Sequence, residues 1–242
     1  MTNASNLYVD GVITGKIENS ADILFKKIQE MKDAPREGYF WETKYPGTKD
    51  FRPDVFSYDS CFLDVLFKNN VDKFIQDATK SSLCLAHIQL RMVFPGNSYM
   101  NWHRDTHFKD NAVVSCSPPA YKIIMFPNDD SDICNYMLKG SHICHLMGQS
   151  SSDYLSPGFS KFDKQILDSG MFQKETFRSS TDNFVLFNTS ILHAAAESNR
   201  KDGSVRLIYV FVDKEQFESK YSHKKEHSEL NKEFQRRIKS KK

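Results

Sequence analysis

Residues 83–94 read LCLAHIQLRMVF, and this stretch decides the fold class. Ala86, Ile88, Leu90, Met92 and Phe94 alternate with His87, Gln89 and Arg91, the two-residue period of a half-buried β-strand. The turn residues Pro95-Gly96-Asn97-Ser98 close it. Further along the chain, Tyr121–Phe126 (YKIIMF), Asn183–Phe187 (NFVLF) and Val205–Val212 (VRLIYVFV) are similar short runs. Irregular loops rather than helices separate them, which predicts a β-sandwich or barrel and not a parallel α/β sheet. Towards the N-terminus the period changes. SADILFKKIQEM at 20–31 carries Leu24, Ile28 and Met31 at helical spacing, with Ser20 as cap and Asp22 in the first turn. Residues 60–80 predict two short helices burying Phe62 and Leu66, then Val71, Phe74, Ile75 and Ala78, the second capped by Asn70. Residues 34–58, rich in Pro, Gly and aromatics, predict loop with short extended pieces.

These segments make one domain over 1–213, helical and irregular over 1–82 and β-rich over 83–213. A basic helical tail follows over 214–242. The tail holds ten Lys/Arg and five Asp/Glu, a net +5, so the remainder of this 242-residue, net +2 chain is net −3. The near balance of 33 Lys+Arg against 31 Asp+Glu excludes a strongly basic nucleic-acid binder and makes nucleic acid an unlikely partner. Five cysteines in an odd set without a CxxC pair argue for free thiols in a reducing compartment. No cationic-then-apolar leader opens the chain, and no run approaches the roughly 18 apolar residues of a membrane span. The expectation is a cytoplasmic protein without a membrane segment.

Two segments carry chemistry: Asn101-Trp102-His103-Arg104-Asp105 and, 90 residues after His103, Ser190-Ile191-Leu192-His193. On extended backbone, His103 and Asp105 lie on one face. His193 from a distant strand would complete two imidazoles and one carboxylate, the facial triad of non-haem Fe(II) oxygenases, whose open positions take co-substrate and O₂. Arg206 follows His193 by 13 residues at the head of an apolar strand. A buried guanidinium there can grip a carboxylate bidentately, as the far end of a 2-oxo dicarboxylate requires. Adjacent antiparallel strands joined by the turn 197–203 would set Arg206 a few ångströms below the metal.

At WHRD, LKGSH (Leu138–His142) and ILH…SNRKDGSVR, the sequence resembles the phytanoyl-CoA dioxygenase-like branch of the Fe(II)/2-oxoglutarate oxygenases. The resemblance spans roughly 85–212. It implies a double-stranded β-helix (jelly-roll, cupin-like) core with packed N-terminal helices. It makes His103, Asp105 and His193 the iron ligands and Arg206 the 2-oxoglutarate anchor. The chain departs from the pattern at Lys139, where a Pro is usual, and at Ile208, where many relatives place a Ser that contacts the co-substrate. Gln89, Arg91 and Tyr99 are candidates for that second contact. A carboxylate at 105 argues against halogenating relatives, which carry a small residue there.

The resulting expectation is a dioxygenase using Fe(II), 2-oxoglutarate and O₂ to hydroxylate a C–H bond of a small molecule. Two rivals stay open: the same fold acting on a protein or nucleic acid, and a non-catalytic cupin-like module holding a metal or ligand. The demethylase branch would carry another Arg where Val212 stands, and prolyl hydroxylases usually have Lys at the Arg206 position. His107 is a rival metal ligand. Cys134, Cys144 and His145 lack paired zinc-ligand spacing. HRDTHFKDN fails as a kinase catalytic loop, because its Asn falls one place late.

Overall fold

The two-residue period of the long strands sorts their side chains to the two sides of a seven-stranded sheet. A computed structural model describes residues 3–18, 21–33, 35–96, 101–105, 108–109, 112–113, 120–128, 133–144, 153–196 and 198–241. The N-terminal part contains α1 (Asn3–Asp10), β1 (Val12–Lys16), α2 (Ala21–Asp33), β2 (Phe40–Glu42), β3 (Thr48–Arg52), α3 (Val55–Tyr58), α4 (Cys61–Lys68) and α5 (Val71–Thr79). Then come β4 (Cys84–Val93), β5 (Phe108–Lys109), β6 (Ala112–Val113), β7 (Tyr121–Met125), β8 (Ile133–Leu138), β9 (Tyr154–Ser156), β10 (Phe159–Ser160) and α6 (Lys161–Ser169). The chain ends with β11 (Lys174–Arg178), β12 (Asn183–Asn188), β13 (His193–Ala195), β14 (Ser204–Val212), α7 (Lys214–Lys220) and α8 (Lys225–Ser240).

The large sheet has the order β1-β12-β7-β14-β4-β3-β2, and the small one β11-β8-β13. Every pairing in both is antiparallel. Along β14, Val205, Leu207, Tyr209 and Phe211 face the helices and pack with Leu24, Ile28, Met31, Phe62, Leu66 and Ile75. The alternate residues Ile208, Val210 and Val212 face inward and pack with Ile124, Phe126 and Phe187, and with Met137 and Phe177 of the small sheet. Two antiparallel sheets closing on a shared interior, with helices on the outer face, form the double-stranded β-helix. Each side chain fully buried in these layers contributes about 1.5–3 kcal/mol. The C-terminal helices belong to the same packing: Leu230 and Phe234 of α8 join the helix-side core and Phe217 of α7 the inner one. No helix among the described residues is long and apolar enough to cross a membrane.

Two local expectations change. The β4–β14 register slips between Val210 and Phe211, which pair with His87 and Leu85. Ala86 is the bulged residue, so it turns into the inner core beside Cys84 while Ile88 and Leu90 stay on the helix side. Asn70 does not cap α5 through its side chain; its backbone is left-handed (φ 53°), a conformation Asn tolerates, and turns the chain from α4 into α5. The predicted cap Ser20 lies outside the described residues.

Candidate metal centre and its cavity

His103 sits on a short extended segment that meets the start of β13. His103 N–H donates to His193 O (2.8 Å) and His193 N–H to His103 O (2.9 Å), a hydrogen-bonded antiparallel pair. Such a pair projects both side chains to one side, and the ring centroids stand 4.3 Å apart. Each Nδ1 lies against a main-chain carbonyl, Asn101 O at 2.7 Å for His103 and Ile191 O at 3.0 Å for His193. A carbonyl only accepts, so each Nδ1 carries the proton and each Nε2 keeps its lone pair.

Those two Nε2 atoms converge on Asp105: 3.8 Å from His103 to Oδ1 and 3.5 Å from His193 to Oδ2. One donor atom from each of the three residues lies within 4.8 Å of the others, and no other group of three His, Cys, Asp or Glu comes together this way among the described residues. Ligand bonds of about 2.0–2.2 Å place the donors of one ion roughly 3–4 Å apart, so the three side chains fit a divalent cation with little movement. Burial opposes charge on Asp105, but Lys122 (Nζ to Oδ2, 2.8 Å) and the two imidazoles outweigh it and hold the carboxyl well below its usual range. Burial, then the neighbouring His103, pushes His193 down to about 3. Asp105 is therefore an anionic donor and His193 a neutral one at neutral pH, the protonation states that a metal needs.

Between His103 and Asp105 stands Arg104, 1% exposed, pointing the opposite way. Its Nε donates to Asp163 Oδ1 (2.7 Å). Its Nη1 donates to Ser141 O (2.7 Å) and also to Ser190 O. Asp163 in turn caps α6 through Ser160. Ser141, from the GSH turn, accepts Leu192 N–H on its Oγ at 2.8 Å. Thus the first-histidine segment, the GSH turn and the second-histidine segment are tied by one guanidinium and one hydroxyl. His142 of the same turn contacts Tyr8 O at 2.9 Å, well away from the triad.

Arg206 is on β14 with the inward parity of Ile208, and is 2% exposed. The expected strand adjacency is corrected here: His193 belongs to the three-stranded sheet and Arg206 to the seven-stranded one. The two face each other across the interior, where Arg206 Nη2 donates to Ala196 O (3.1 Å). Arg91 is the cross-strand partner of Arg206, and Gln89 that of Ile208. Arg91 grips the fully buried Asp50 through Nε (2.6 Å) and Nη2 (2.9 Å), and Gln89 Nε2 donates to the same carboxylate (2.9 Å).

Arg206, Arg91, Gln89 and Ile208, with the triad, line one cavity of about 170 Å³. Tyr99, His107, Cys134's side chain and His145 lie outside the described residues. Among the polar residues of this cavity, the sequence reading missed Lys44, Lys122 and Asn135. Lys122 was discoverable, since in YKIIM it shares the parity of inward Ile124. Of the aromatics in 39–58, Tyr39 and Trp41 pack on the helix-side core, Phe40 is exposed, and Tyr45 stacks under Arg91 at 5.3 Å.

No family model and no curated protein matches the chain. Solved structures do. The epimerase SnoN in complex with Fe³⁺, alpha ketoglutarate and nogalamycin RO superposes with a TM-score of 0.66 at 12% identity, over 87% of this chain and 82% of that one. The alpha ketoglutarate-dependent carbocyclase SnoK gives 0.63 at 11%, over 87% and 83%. HygX from Streptomyces hygroscopicus, with nickel, 2-oxoglutarate and hygromycin B, gives 0.62 at 12%, over 87% of both chains. Identities this low speak for the fold, and that fold is one on which non-heme alpha ketoglutarate-dependent enzymes are built.

Proposed function

We propose that the protein is an Fe(II)- and 2-oxoglutarate-dependent oxygenase that hydroxylates a C–H bond of a small organic substrate, releasing succinate and CO₂. The observation that carries this reading is the convergence of His103, Asp105 and His193 in the cavity that Arg206 enters from the facing sheet. The relatives SnoN and HygX, with metal and the keto acid bound, share the fold and support it. The motifs WHRD, GSH and the distal His…Arg align it with the phytanoyl-CoA dioxygenase-like branch.

In this reading His103, Asp105 and His193 hold the iron, whose chemistry with 2-oxoglutarate and O₂ supplies the power to oxidise a C–H bond. The Nδ1–carbonyl bonds lock both imidazoles with Nε2 facing the ion. Arg206 receives the far carboxylate of 2-oxoglutarate. Gln89 and Arg91, held by Asp50, form the polar floor beside it. Ile124, Phe187 and Ile208 keep the walls apolar and water out. Asp105 as a ligand occupies the place a halide would need. A cytoplasmic setting suits the free thiols at Cys61, Cys84 and Cys144.

Anaerobic addition of Fe(II) and 2-oxoglutarate to the protein tests the reading. A weak visible charge-transfer band is expected in the wild type and is lost in Asp105→Ala. Arg206→Met is expected to raise the 2-oxoglutarate concentration for half-formation by about ten- to a hundred-fold, the worth of a charge-assisted bidentate contact. No band in the wild type, or an undiminished band in Asp105→Ala, overturns it.

A further inference from the structure

Lys122 holds an inward position on β7, two residues before Ile124, with Phe187 of β12 and Val210 of β14 as its cross-strand neighbours. Ile124, Phe187 and Val210 all belong to the inner apolar core. An ammonium among such neighbours needs an acid, and the acid it finds is a candidate metal ligand: Nζ lies 2.8 Å from Asp105 Oδ2. The pair ties the large sheet to the segment that carries His103. It also stands between two cavities, because Asp105 and Lys122 line both that of the triad and a second of about 260 Å³ bounded by Gln216 and Lys220 of α7. With side chains 20% and 25% exposed, the two charges are only partly screened by water.

A triad of two imidazoles and one carboxylate carries a single negative charge, since imidazoles ligate as neutral groups. Here Lys122 cancels that charge from outside the ligand set. A divalent ion held by His103, Asp105 and His193 therefore brings the local charge to +2, where the triad alone would leave +1. The co-substrate is a dianion, so the paired site meets it at neutrality. The same lysine opposes the ion. An outer partner that is neutral or anionic raises the basicity of its ligand, whereas a cation repels the metal and draws charge away from the carboxylate.

We propose that Lys122 is a positioning residue that sets the charge of the metal centre through Asp105, loosening the hold on the divalent ion and tightening the hold of the loaded centre on anionic 2-oxoglutarate. This inference rests on the oxygenase reading. Arg206 keeps its role as anchor of the far carboxylate.

The test compares wild type with the neutral variants Lys122→Met and Lys122→Gln and with the charge-keeping Lys122→Arg. Mn(II) affinity is read from the electron paramagnetic resonance of the unbound ion, and 2-oxoglutarate affinity by calorimetry on the Mn(II)-saturated proteins. Both neutral variants are expected to bind Mn(II) about ten-fold tighter and 2-oxoglutarate about ten-fold weaker, with Lys122→Arg within about three-fold of wild type on both counts. A merely structural role would weaken both affinities together. Anything short of opposite shifts in the neutral variants overturns the inference, as does a Lys122→Arg that behaves like Lys122→Met. Wild-type protein that takes up Mn(II) but no 2-oxoglutarate condemns the oxygenase reading, whereas normal uptake without the opposite shifts condemns only this one.

Discussion

Arg104→Met is the substitution whose outcome the structure forecasts most sharply. Arg104 and Asp163 are 1% and 0% exposed and meet at 2.7 Å, so neither charge has water to fall back on. Methionine fills much of the same volume but leaves the Asp163 carboxylate buried without a counter-charge, and strips donors from Ser141 O and Ser190 O. Breaking a buried pair by removing one partner costs about 3–5 kcal/mol. That is a large share of the about 5–15 kcal/mol by which domains are stable. Urea denaturation of the metal-free protein, followed by far-UV circular dichroism, measures this directly. The loss should extend to function, because Ser190 lies three residues before His193 and Ser141 binds Leu192. Metal affinity, measured on whatever fraction remains folded, should fall as well. Arg104→Lys retains the charge but lacks the planar fork that reaches three partners at once, so it should fall between the wild type and Arg104→Met. A loss below about 1 kcal/mol in Arg104→Met, the scale of an ordinary hydrogen bond, would refute the view that this guanidinium joins the two histidine segments.

Three other outcomes are expected. Asp50→Asn leaves Arg91, the cross-strand neighbour of Arg206, without the acid it grips and should cost about 3–5 kcal/mol; adding Arg91→Met should recover part of it in the same urea assay. Phe234→Ala, removing a ring 1% exposed and 5.8 Å from both Phe67 and Phe211, should cost about 3–5 kcal/mol in thermal or urea melts; a null effect would mean α8 is not part of the core. Burial, and next the charge of Lys122, pushes His87 down to about 3, below the roughly 6.5 of the unfolded chain. The unfolded state therefore binds the extra proton between those values. Stability should fall as pH drops from about 6.5 towards 3, by about 1.4 kcal/mol per unit for each such group. His87→Gln should flatten the pH dependence of unfolding by that single-proton slope, and identical slopes would count against a neutral buried His87.

How much was legible in the sequence follows from the range of the forces involved. The strands at 84–93, 121–125, 183–188 and 204–212 were readable because alternation is a local pattern that burial on one face imposes. The triad was readable as residue types and order, since HxD and a later ILH need no partner to be recognised. The bulge at Ala86 was not, because a register slip is settled between strands and leaves a smooth run of letters in one of them. Arg104 and Asp50 escaped for a similar reason. A buried ion pair is defined by two residues 59 or 41 positions apart, and neither member looks different from a surface charge.

By itself, the sequence determined where the long alternating strands run, that the chain holds two imidazoles and a carboxylate in a suggestive order, and that an arginine opens the last long strand. Only the tertiary structure decided that His193 and Arg206 come from opposite sheets, that Lys122 and Lys44 join them, and that α7 walls the adjoining cavity. The division has a physical cause. Burial acts residue by residue and leaves its period in the chain, whereas a site is a convergence in space, fixed by how sheets close and helices dock.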